Sequence, residues 1–371
     1  MTMVDFEGLC RHLADVGAGA VGLVSQQVSP TGGILHDRLG GRLACLFSPE
    51  HGWFGLVAAG ERTSSEVHPS WRIPVHSLYG ETRRPTPEML TGLDRLVVDL
   101  QDVGVRSYTY LATLKLVLEA AAEAHLPVTV LDRPIPLGGV VDGPGVADGF
   151  RSFVAPLDVP LCHGMTPGEC ATYIVREGGL DLDLTVIPMR GWSHGDIAPW
   201  PNFVPPSPAL RSWDCAALYP ATVLTEAYVA VDCDRAGALA FRVLGAPWLD
   251  AATLLEDVGD RISECGMGGR TIRYRPASGE FAGQVLDGLM LTVERPQDYR
   301  PVKAGAHIFA AILRRYPEEL AKGFRPEWLD KLTGSDALRA AISSPEALAS
   351  LLDGWGDANA AYAKRRVDLY C

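Results

Sequence analysis

Short apolar runs alternate with amphipathic segments along the first half of the chain. Helices are predicted over 6–16 and 111–125, where apolar residues recur at intervals of three and four. Strands are predicted over 20–24, 43–47, 96–100, 128–131 and 182–187. The alternation of strand, helix and strand indicates right-handed βαβ units. We therefore expect an α/β domain with a parallel sheet.

The pattern changes in the second half, which mixes strands and helices in α+β fashion. Thr166, Pro167 and Glu169 predict a helix start with a capping box. Five prolines within 199–208 exclude a helix or central strand there, so this segment is the domain connection or a rigid loop at the site. Further strands are expected over 271–275 and 289–294, and helices over 304–316, 335–341, 345–352 and 359–366. We expect two domains, 1–212 and 213–371.

Polar clusters follow four of the predicted strands. In open parallel sheets, ligands bind outside the carboxyl ends of the strands, so these clusters predict the position of a site. The clusters contain Ser25-Gln26-Gln27, Glu50-His51, Asp102 with Arg106, and Asp132-Arg133.

Glu50 is the leading catalytic residue of this set. The nearby Trp53 and Phe54 could form an apolar wall. Such a wall would raise the pKa of Glu50 by desolvation, as a general acid requires. The alternative is a loop carboxylate that caps a turn.

Asp102, Arg106, Tyr108 and Tyr110 form a second group at a strand end. A carboxylate, a guanidinium and two phenols could bind a polyhydroxylated or carboxylated ligand. A buried ion pair between Asp102 and Arg106 explains the pattern equally well. Asp132 could orient Arg133 or cap a turn.

Two loops supply further polar groups. Glu81 is a possible second carboxylate, with Arg83 or Arg84 as an anion anchor, although a solvated charge cluster is the alternative. His163 precedes a predicted helix start, where it could transfer a proton, contact a ligand or be a satisfied loop histidine.

Several classes of function are disfavoured. The net charge of −12 argues against binding to nucleic acid. No apolar run approaches the roughly 20 residues that span a bilayer, and the N-terminus resembles no secretory signal, so we expect a cytoplasmic protein without a membrane partner. The eight cysteines form no C-x-x-C pair and read as reduced thiols. The histidines lack metal-ligand spacing.

A glycine-rich segment, Gly17 to Gly22, matches G-x-G-x-x-G. It follows a predicted helix and enters a strand, the reverse of a dinucleotide-binding fingerprint, so a turn is the better interpretation. We expect no cofactor and no metal, and a small-molecule substrate.

Several blocks of the chain resemble one family, the exo-β-N-acetylmuramidase family, formerly described as a domain of unknown function (DUF1343). The most distinctive is Pro49-Glu50-His51-Gly52. The other blocks follow in order over nearly the whole chain: 79–90, 101–110, 131–139, 163–166, 219–226, 244–248 and 365–370.

This resemblance implies a Rossmann-like first domain, a smaller second domain and a site in the cleft between them. It implies removal of terminal N-acetylmuramic acid from peptidoglycan fragments, a place in peptidoglycan recycling, and no metal or nucleotide. The family's leading catalytic glutamate falls on Glu50. Asp102, Glu81 or Asp232 would be the partner carboxylate. The substrate-binding residues would include His51, Arg106, Tyr108, Tyr110, Arg133, His163, Glu226 and Asp232.

The chain departs from the family at positions expected to touch substrate. Thr-Asn-Pro becomes Ser25-Gln26-Gln27, an Asn becomes Ile135, and the Asn of Pro-Ser-Pro-Asn becomes Ala209. The segment 226–236 lacks the family's Ser-Glu-Gly-Arg. Lost hydrogen-bond partners alter selectivity strongly, so the alternatives are another acid–base reaction on a metabolite outside peptidoglycan, or a sugar-acid binding protein.

Overall fold

A seven-stranded sheet organises the first domain. The structure is a computed structural model and describes residues 3–26, 28–200, 203–366 and 369. The strands are β1 (Val21–Val24), β2 (Leu43–Ser48), β3 (Glu66–Val67), β4 (Pro74–Ser77), β5 (Arg95–Val98), β6 (Val128–Leu131) and β7 (Leu184–Ile187). Their order is β3-β4-β2-β1-β5-β6-β7, and all pairs are parallel except β3 with β4.

The sequence predicted five of these strands and missed two. β1, β5 and β6 are buried along their whole length, which explains their uninterrupted apolar runs. The missed strands lack that signal, because both residues of β3 are exposed and β4 begins at an exposed proline. They add an edge to the sheet on the side of β2.

Helices connect and cover this sheet: α1 (Phe6–Asp15), α2 (Thr31–Leu39), α3 (Pro87–Leu90), α4 (Tyr110–Glu123) and α5 (Pro167–Gly178). The predicted capping box opens α5. Thr166 Oγ1 accepts the Glu169 N–H at 3.2 Å, and Glu169 Oε2 accepts the Thr166 N–H at 2.9 Å. The glycine-rich segment that begins at Gly17 is the turn from α1 into β1, as predicted.

The second domain is smaller and α+β. Its strands β8 (Val243–Gly245), β9 (Met267–Tyr274) and β10 (Leu286–Val293) form an antiparallel sheet of order β8-β10-β9. Its helices are α6 (Trp213–Thr222), α7 (Ala251–Glu264), α8 (Pro301–Arg315), α9 (Pro317–Ala321), α10 (Pro326–Thr333), α11 (Ala337–Ala341) and α12 (Pro345–Arg366). The structure thus has the predicted fold class.

The prediction of two final helices was wrong, because α12 runs through the intervening residues as one helix of 22 residues. Gly354 and Gly356 weaken the local helical signal. Trp355 between them is buried, as are Leu352 and Tyr362, so packing along one face holds the helix together.

One hydrophobic core passes through both domains. It includes Val98 and Tyr108 of the first domain and Phe241 and Phe309 of the second. The boundary predicted after residue 212 falls directly before α6.

The seven described cysteines are free thiols. Within the described ranges, no helix is long and apolar enough to cross a membrane.

Candidate active site

A cleft of about 720 Å³ lies at the carboxyl edge of the parallel strands, between the two domains. Its size is that of a small-molecule site, for which roughly 300–1,000 Å³ is usual. Of the predicted catalytic and substrate-binding residues, five line it: Glu50, His51, Tyr108, Glu226 and Asp232; Arg83, one of the two predicted anion anchors, lines it as well. A larger groove of about 870 Å³ lies between α12 and the loop near Val140, but none of the predicted site residues line it.

Glu50 stands on the first-domain wall, just beyond β2. Its side chain is held at both oxygens: the Gly60 N–H donates to Oε1 at 2.6 Å, and Thr109 Oγ1 donates to Oε2 at 2.6 Å. The residue is 6 % exposed and lines the cleft. The carboxylate is therefore oriented toward the cleft without an ion-pair partner among the described residues.

The turn after Glu50 is strained. His51 has φ of 74°, which is uncommon for a residue other than glycine, and Gly52 follows with φ of 73°. His51 Nδ1 lies 2.9 Å from the Val57 carbonyl, and since a carbonyl only accepts, Nδ1 is the donor in this bond. Such strain is common at functional sites.

The apolar wall predicted from Trp53 and Phe54 does not face this cleft. Trp53 is buried in the core of the first domain, and Phe54 packs against that core. Both also line a separate pocket of about 200 Å³ beside the proline-rich segment. Aromatic rings do line the main cleft, but they are Tyr79, Tyr108, Phe153, Tyr219, Phe241, Phe281 and Trp328.

Tyr79 and Arg83 lie beside Glu50. Burial, reinforced by the negative charge of Glu50, raises the pKa of the Tyr79 hydroxyl. The Arg83 guanidinium lies over the Tyr79 ring at 4.6 Å and over the Phe153 ring at 4.1 Å. Arg84 instead donates to Glu123 at 2.5 Å outside the cleft. Glu81 is exposed and does not line the cleft.

The second-domain wall brings three carboxylates to the cleft, of which Glu280 is exposed. Glu226 forms an ion pair with Arg235 and accepts from Trp328 Nε1 at 3.4 Å. Asp232 Oδ1 accepts from the Tyr274 hydroxyl and the Asp234 N–H, both at 2.8 Å. Burial raises the pKa of Asp232. Its Oδ2 makes neither of these bonds and is available to a ligand.

The structure does not bring Asp102 or Arg106 into the cleft, and they do not pair with each other. Asp102 Oδ1 accepts the N–H groups of Val103 and Gly104, both at 2.7 Å, and burial raises its pKa to about 7. Arg106 is 0 % exposed and donates to three backbone carbonyls, those of Pro144 (2.7 Å), Val159 (2.5 Å) and Leu332 (3.1 Å). Arg106 is thus a structural clamp.

Tyr108 and Tyr110 hold the proline-rich segment. Their hydroxyls donate to the Pro206 carbonyl at 2.8 and 2.9 Å. Tyr108 also lines the cleft, whereas Tyr110 lines the smaller pocket beside it. The segment is therefore both the connection to α6 and a loop at the site, because Ser207 and Ala209 line the cleft. Pro201 and Asn202 lie outside the described residues.

Arg133 and His163 are also buried away from the cleft. Arg133 is 1 % exposed and forms an ion pair with Asp99, supported by Ser29. Asp132 caps α5 by accepting the Gly168 N–H at 2.8 Å and the Thr166 hydroxyl at 3.0 Å. His163 accepts the Met165 N–H at 3.2 Å, and burial lowers its pKa to about 3. Neither Arg133 nor His163 can touch a ligand in the cleft of this structure.

The positions at which this chain departs from the family also divide into those that line the cleft and those that do not. Ala209 and the altered segment beginning at Glu226 line the cleft. Ile135 is buried against Gly104, and Ser25 lies beneath the sheet edge near Asp99. Gln27 and Tyr370 lie outside the described residues. Among the described altered positions, those that line the cleft are therefore Ala209 and residues of the second-domain wall, whereas Gln26 lines the smaller pocket beside it.

Sequence reasoning missed Gly60 and Thr109, which orient Glu50, and the second-wall residues Phe281, Arg325 and Lys331. Thr109 lay within a block that resembled the family, so that block carried a usable signal. The second-wall residues come from separate loops and α10, and their grouping depends on tertiary packing. Among the described residues, no group of three or more His, Cys, Asp and Glu side chains could hold a metal ion.

Comparison with known proteins agrees with this architecture. The N-terminal model of the exo-β-N-acetylmuramidase NamZ family matches residues 20–214, and its C-terminal model matches 217–371. The peptidoglycan β-N-acetylmuramidase NamZ of Bacillus subtilis (strain 168) is 35 % identical over 340 residues, which are 90 % of this chain and 80 % of that protein.

Two crystal structures of DUF1343 family proteins from Bacteroides fragilis share the fold. One has a TM-score of 0.86 at 27 % identity and covers 99 % of each chain. The other has a TM-score of 0.78 at 24 % identity, covering 100 % of this chain and 98 % of that one. The resemblance predicted from the sequence is confirmed, and with it the class of enzyme, a glycoside hydrolase. The chain belongs to the exo-β-N-acetylmuramidase family.

Proposed function

We propose that this enzyme removes β-linked N-acetylmuramic acid from the end of peptidoglycan fragments, with Glu50 as the general acid. The observation that carries the assignment is the state of the four carboxylates lining the cleft. Glu226 forms an ion pair with Arg235, and Glu280 is exposed. Asp232 lies on the second-domain wall, opposite Glu50. Glu50 is the nearly buried, unpaired carboxylate at the edge of the parallel sheet, where ligands bind.

The hydrogen bonds of Glu50 define where its proton would lie. Oε1 accepts the Gly60 N–H, so a protonated Glu50 carries its proton on Oε2. Thr109 Oγ1 can accept a hydrogen bond from this O–H, because a hydroxyl accepts as well as donates. In the reaction, Oε2 gives the proton to the glycosidic oxygen as the bond to the anomeric carbon breaks. Water supplies the new hydroxyl at that carbon, and its other proton passes to a carboxylate of the cleft, Asp232 or the ionised Glu50.

Asp232 is the partner carboxylate that this geometry favours over Asp102 and Glu81. Asp102 is enclosed by its own loop, and Glu81 lies outside the cleft. Tyr274 and the Asp234 N–H fix Asp232 through Oδ1, which leaves Oδ2 to stabilise positive charge at the sugar or to activate water. The proposed substrate is also supported by the activity in the name of the B. subtilis relative, a peptidoglycan β-N-acetylmuramidase. A cytoplasmic role in recycling such fragments stays a prediction.

The altered second wall favours one alternative, a related acid–base reaction on a different glycoside. Ala209 offers no amide where the family has an asparagine, and the segment around Asp232 carries different hydrogen-bonding groups. A site that loses such partners changes its preferred substrate.

A chromogenic β-glycoside of N-acetylmuramic acid tests the proposal, with the wild type compared with Glu50→Gln. Release by the wild type is the expected result, and near-complete loss in the variant is expected on a disaccharide substrate, whose sugar leaving group needs the proton of Glu50. No release by the folded wild type would refute muramidase activity and favour the alternative substrate. Binding of free N-acetylmuramic acid without turnover would instead indicate a sugar-acid binding protein.

A further inference from the structure

Arg83 has the surroundings of a carboxylate-binding group. Its guanidinium lies at 4.6 Å from the centroid of the Tyr79 ring and 4.1 Å from that of the Phe153 ring. Contacts with ring faces fix the plane of a guanidinium while its N–H edges remain available. The residue is exposed within the cleft, so a ligand can reach those edges.

The Arg83 guanidinium lacks an anionic partner within the described residues, where no carboxylate lies within 4 Å of it. Its neighbours differ in this respect: Arg84 pairs with Glu123, and Arg235 pairs with Glu226. The protein therefore supplies Arg83 with a fixed orientation but leaves its charge uncompensated. A planar fork of N–H donors in that state matches a carboxylate, which it can bind through two parallel hydrogen bonds.

Tyr79 connects this cation to the catalytic carboxylate. The hydroxyl of Tyr79 senses both charges, Glu50 raising its pKa and Arg83 lowering it, beside the larger effect of burial. A ligand whose carboxylate meets Arg83 therefore has its adjoining atoms close to Glu50.

We propose that Arg83 binds the carboxylate of the lactyl ether on N-acetylmuramic acid and thereby selects this sugar over N-acetylglucosamine. The inference rests on the proposed function, since it assigns the substrate's charged group to a residue of the same cleft. The two sugars differ by this ether alone, so an enzyme that separates them needs a group that recognises it. The carboxylate is the group of this ether that can be bound most strongly, because hydrogen bonds between charged groups are stronger than those between neutral groups.

Besides Arg83 and the ion-paired Arg235, two cations line the cleft, Arg325 and Lys331 on the second-domain wall. Both are exposed, and neither has a ring contact among those found for the described residues. Ordering such flexible side chains around a ligand costs conformational entropy that Arg83 has largely lost already. Arg83 also lies on the same wall as Glu50, whereas these two lie across the cleft.

The test compares chromogenic β-glycosides of N-acetylmuramic acid and N-acetylglucosamine as substrates of Arg83→Met. We expect kcat/KM for the muramic acid glycoside to fall roughly 10- to 100-fold, mostly through KM, and the preference over the glucosamine glycoside to shrink by the same factor. Arg83→Lys should recover only part of the loss, because an ammonium keeps the positive charge but lacks the planar fork of donors. Arg84→Met is the matched control, and it should retain the wild-type preference.

A binding measurement separates this inference from the proposed reaction. Free N-acetylmuramic acid and N-acetylglucosamine are titrated by calorimetry into Glu50→Gln, with and without Arg83→Met. Tighter binding of the acid that disappears with Arg83→Met supports the inference even if the wild type cleaves neither glycoside. An unchanged preference in Arg83→Met, its loss in Arg325→Met or Lys331→Met instead, or no preference in the parent protein would each overturn it.

Discussion

Replacing Glu50 by glutamine removes an acid while leaving the local structure nearly intact. The amide oxygen can still accept the Gly60 N–H, and the amide nitrogen can donate to Thr109 Oγ1, because that hydroxyl can accept. The charge is lost, but no ion-pair partner is left behind on the described part of the chain. We therefore expect the free energy of unfolding to change by about 1 kcal/mol or less.

The effect on catalysis should be much larger. General acid catalysis by a positioned side chain contributes about 10²- to 10⁴-fold. That loss corresponds to about 3–5 kcal/mol in the activation barrier. In the proposed reaction Glu50 donates a proton to the leaving oxygen, so the loss should be largest for a disaccharide, whose alkoxide leaves poorly. It should be much smaller for a nitrophenyl glycoside, whose phenolate leaves without a proton.

The assay measures kcat for both substrates in the wild type, in Glu50→Gln and in Glu280→Gln, a matched control at an exposed carboxylate of the same cleft. Denaturant unfolding of each variant verifies that the fold persists. An equal loss on both substrates would refute the role of Glu50 as proton donor to the leaving group. A loss of less than tenfold on the disaccharide would remove Glu50 from the acid step altogether.

Three further predictions follow from the same geometry. Asp232→Asn should reduce kcat by about 10²-fold or more, and azide should restore turnover in Asp232→Ala, which would not occur if Asp232 were outside the reaction path. Arg133→Met should lower the free energy of unfolding in urea by about 3–5 kcal/mol, since it leaves Asp99 buried without its partner; a change below 1 kcal/mol would contradict this. Burial raises the pKa of Asp102 from its ordinary value of 3.8 to about 7, so the unfolded chain releases this proton first and stability should fall as pH rises from about 4 to about 7. Asp102→Asn should remove that part of the pH dependence in urea titrations, and an unchanged profile would disprove the assignment.

The sequence predicted the position of the cleft because strand ends are readable from apolar runs. Glu50 follows β2 and lines the cleft, as predicted for a polar residue beyond the carboxyl end of a strand. Asp102 and Arg133 also follow strands, yet they bind backbone N–H groups or a buried carboxylate. Whether a side chain after a strand turns toward the cleft or beneath the loop depends on the three-dimensional path of that loop.

The alternatives left open at Arg83 and Arg84 illustrate the same limit. The two residues are adjacent in the chain and have the same chemistry, but successive side chains of an extended loop point in different directions. One meets Tyr79 and Phe153, and the other meets Glu123. The aromatic partner Phe153 is 70 positions away in the sequence, so no local pattern could have identified it.

The buried side chain of Arg106 makes each domain depend on the other for its packing. Its guanidinium joins carbonyls on either side of the domain boundary, including that of Leu332 in α10. A chimera that joins residues 1–212 to the second half of a distant relative must present a carbonyl at this same point, or it leaves a buried cation partly unsolvated. Burial already lowers the pKa of Arg106 to about 9 with all three acceptors in place. Recombination between relatives is therefore restricted to halves that keep this junction, which favours inheritance of the two domains as a matched pair.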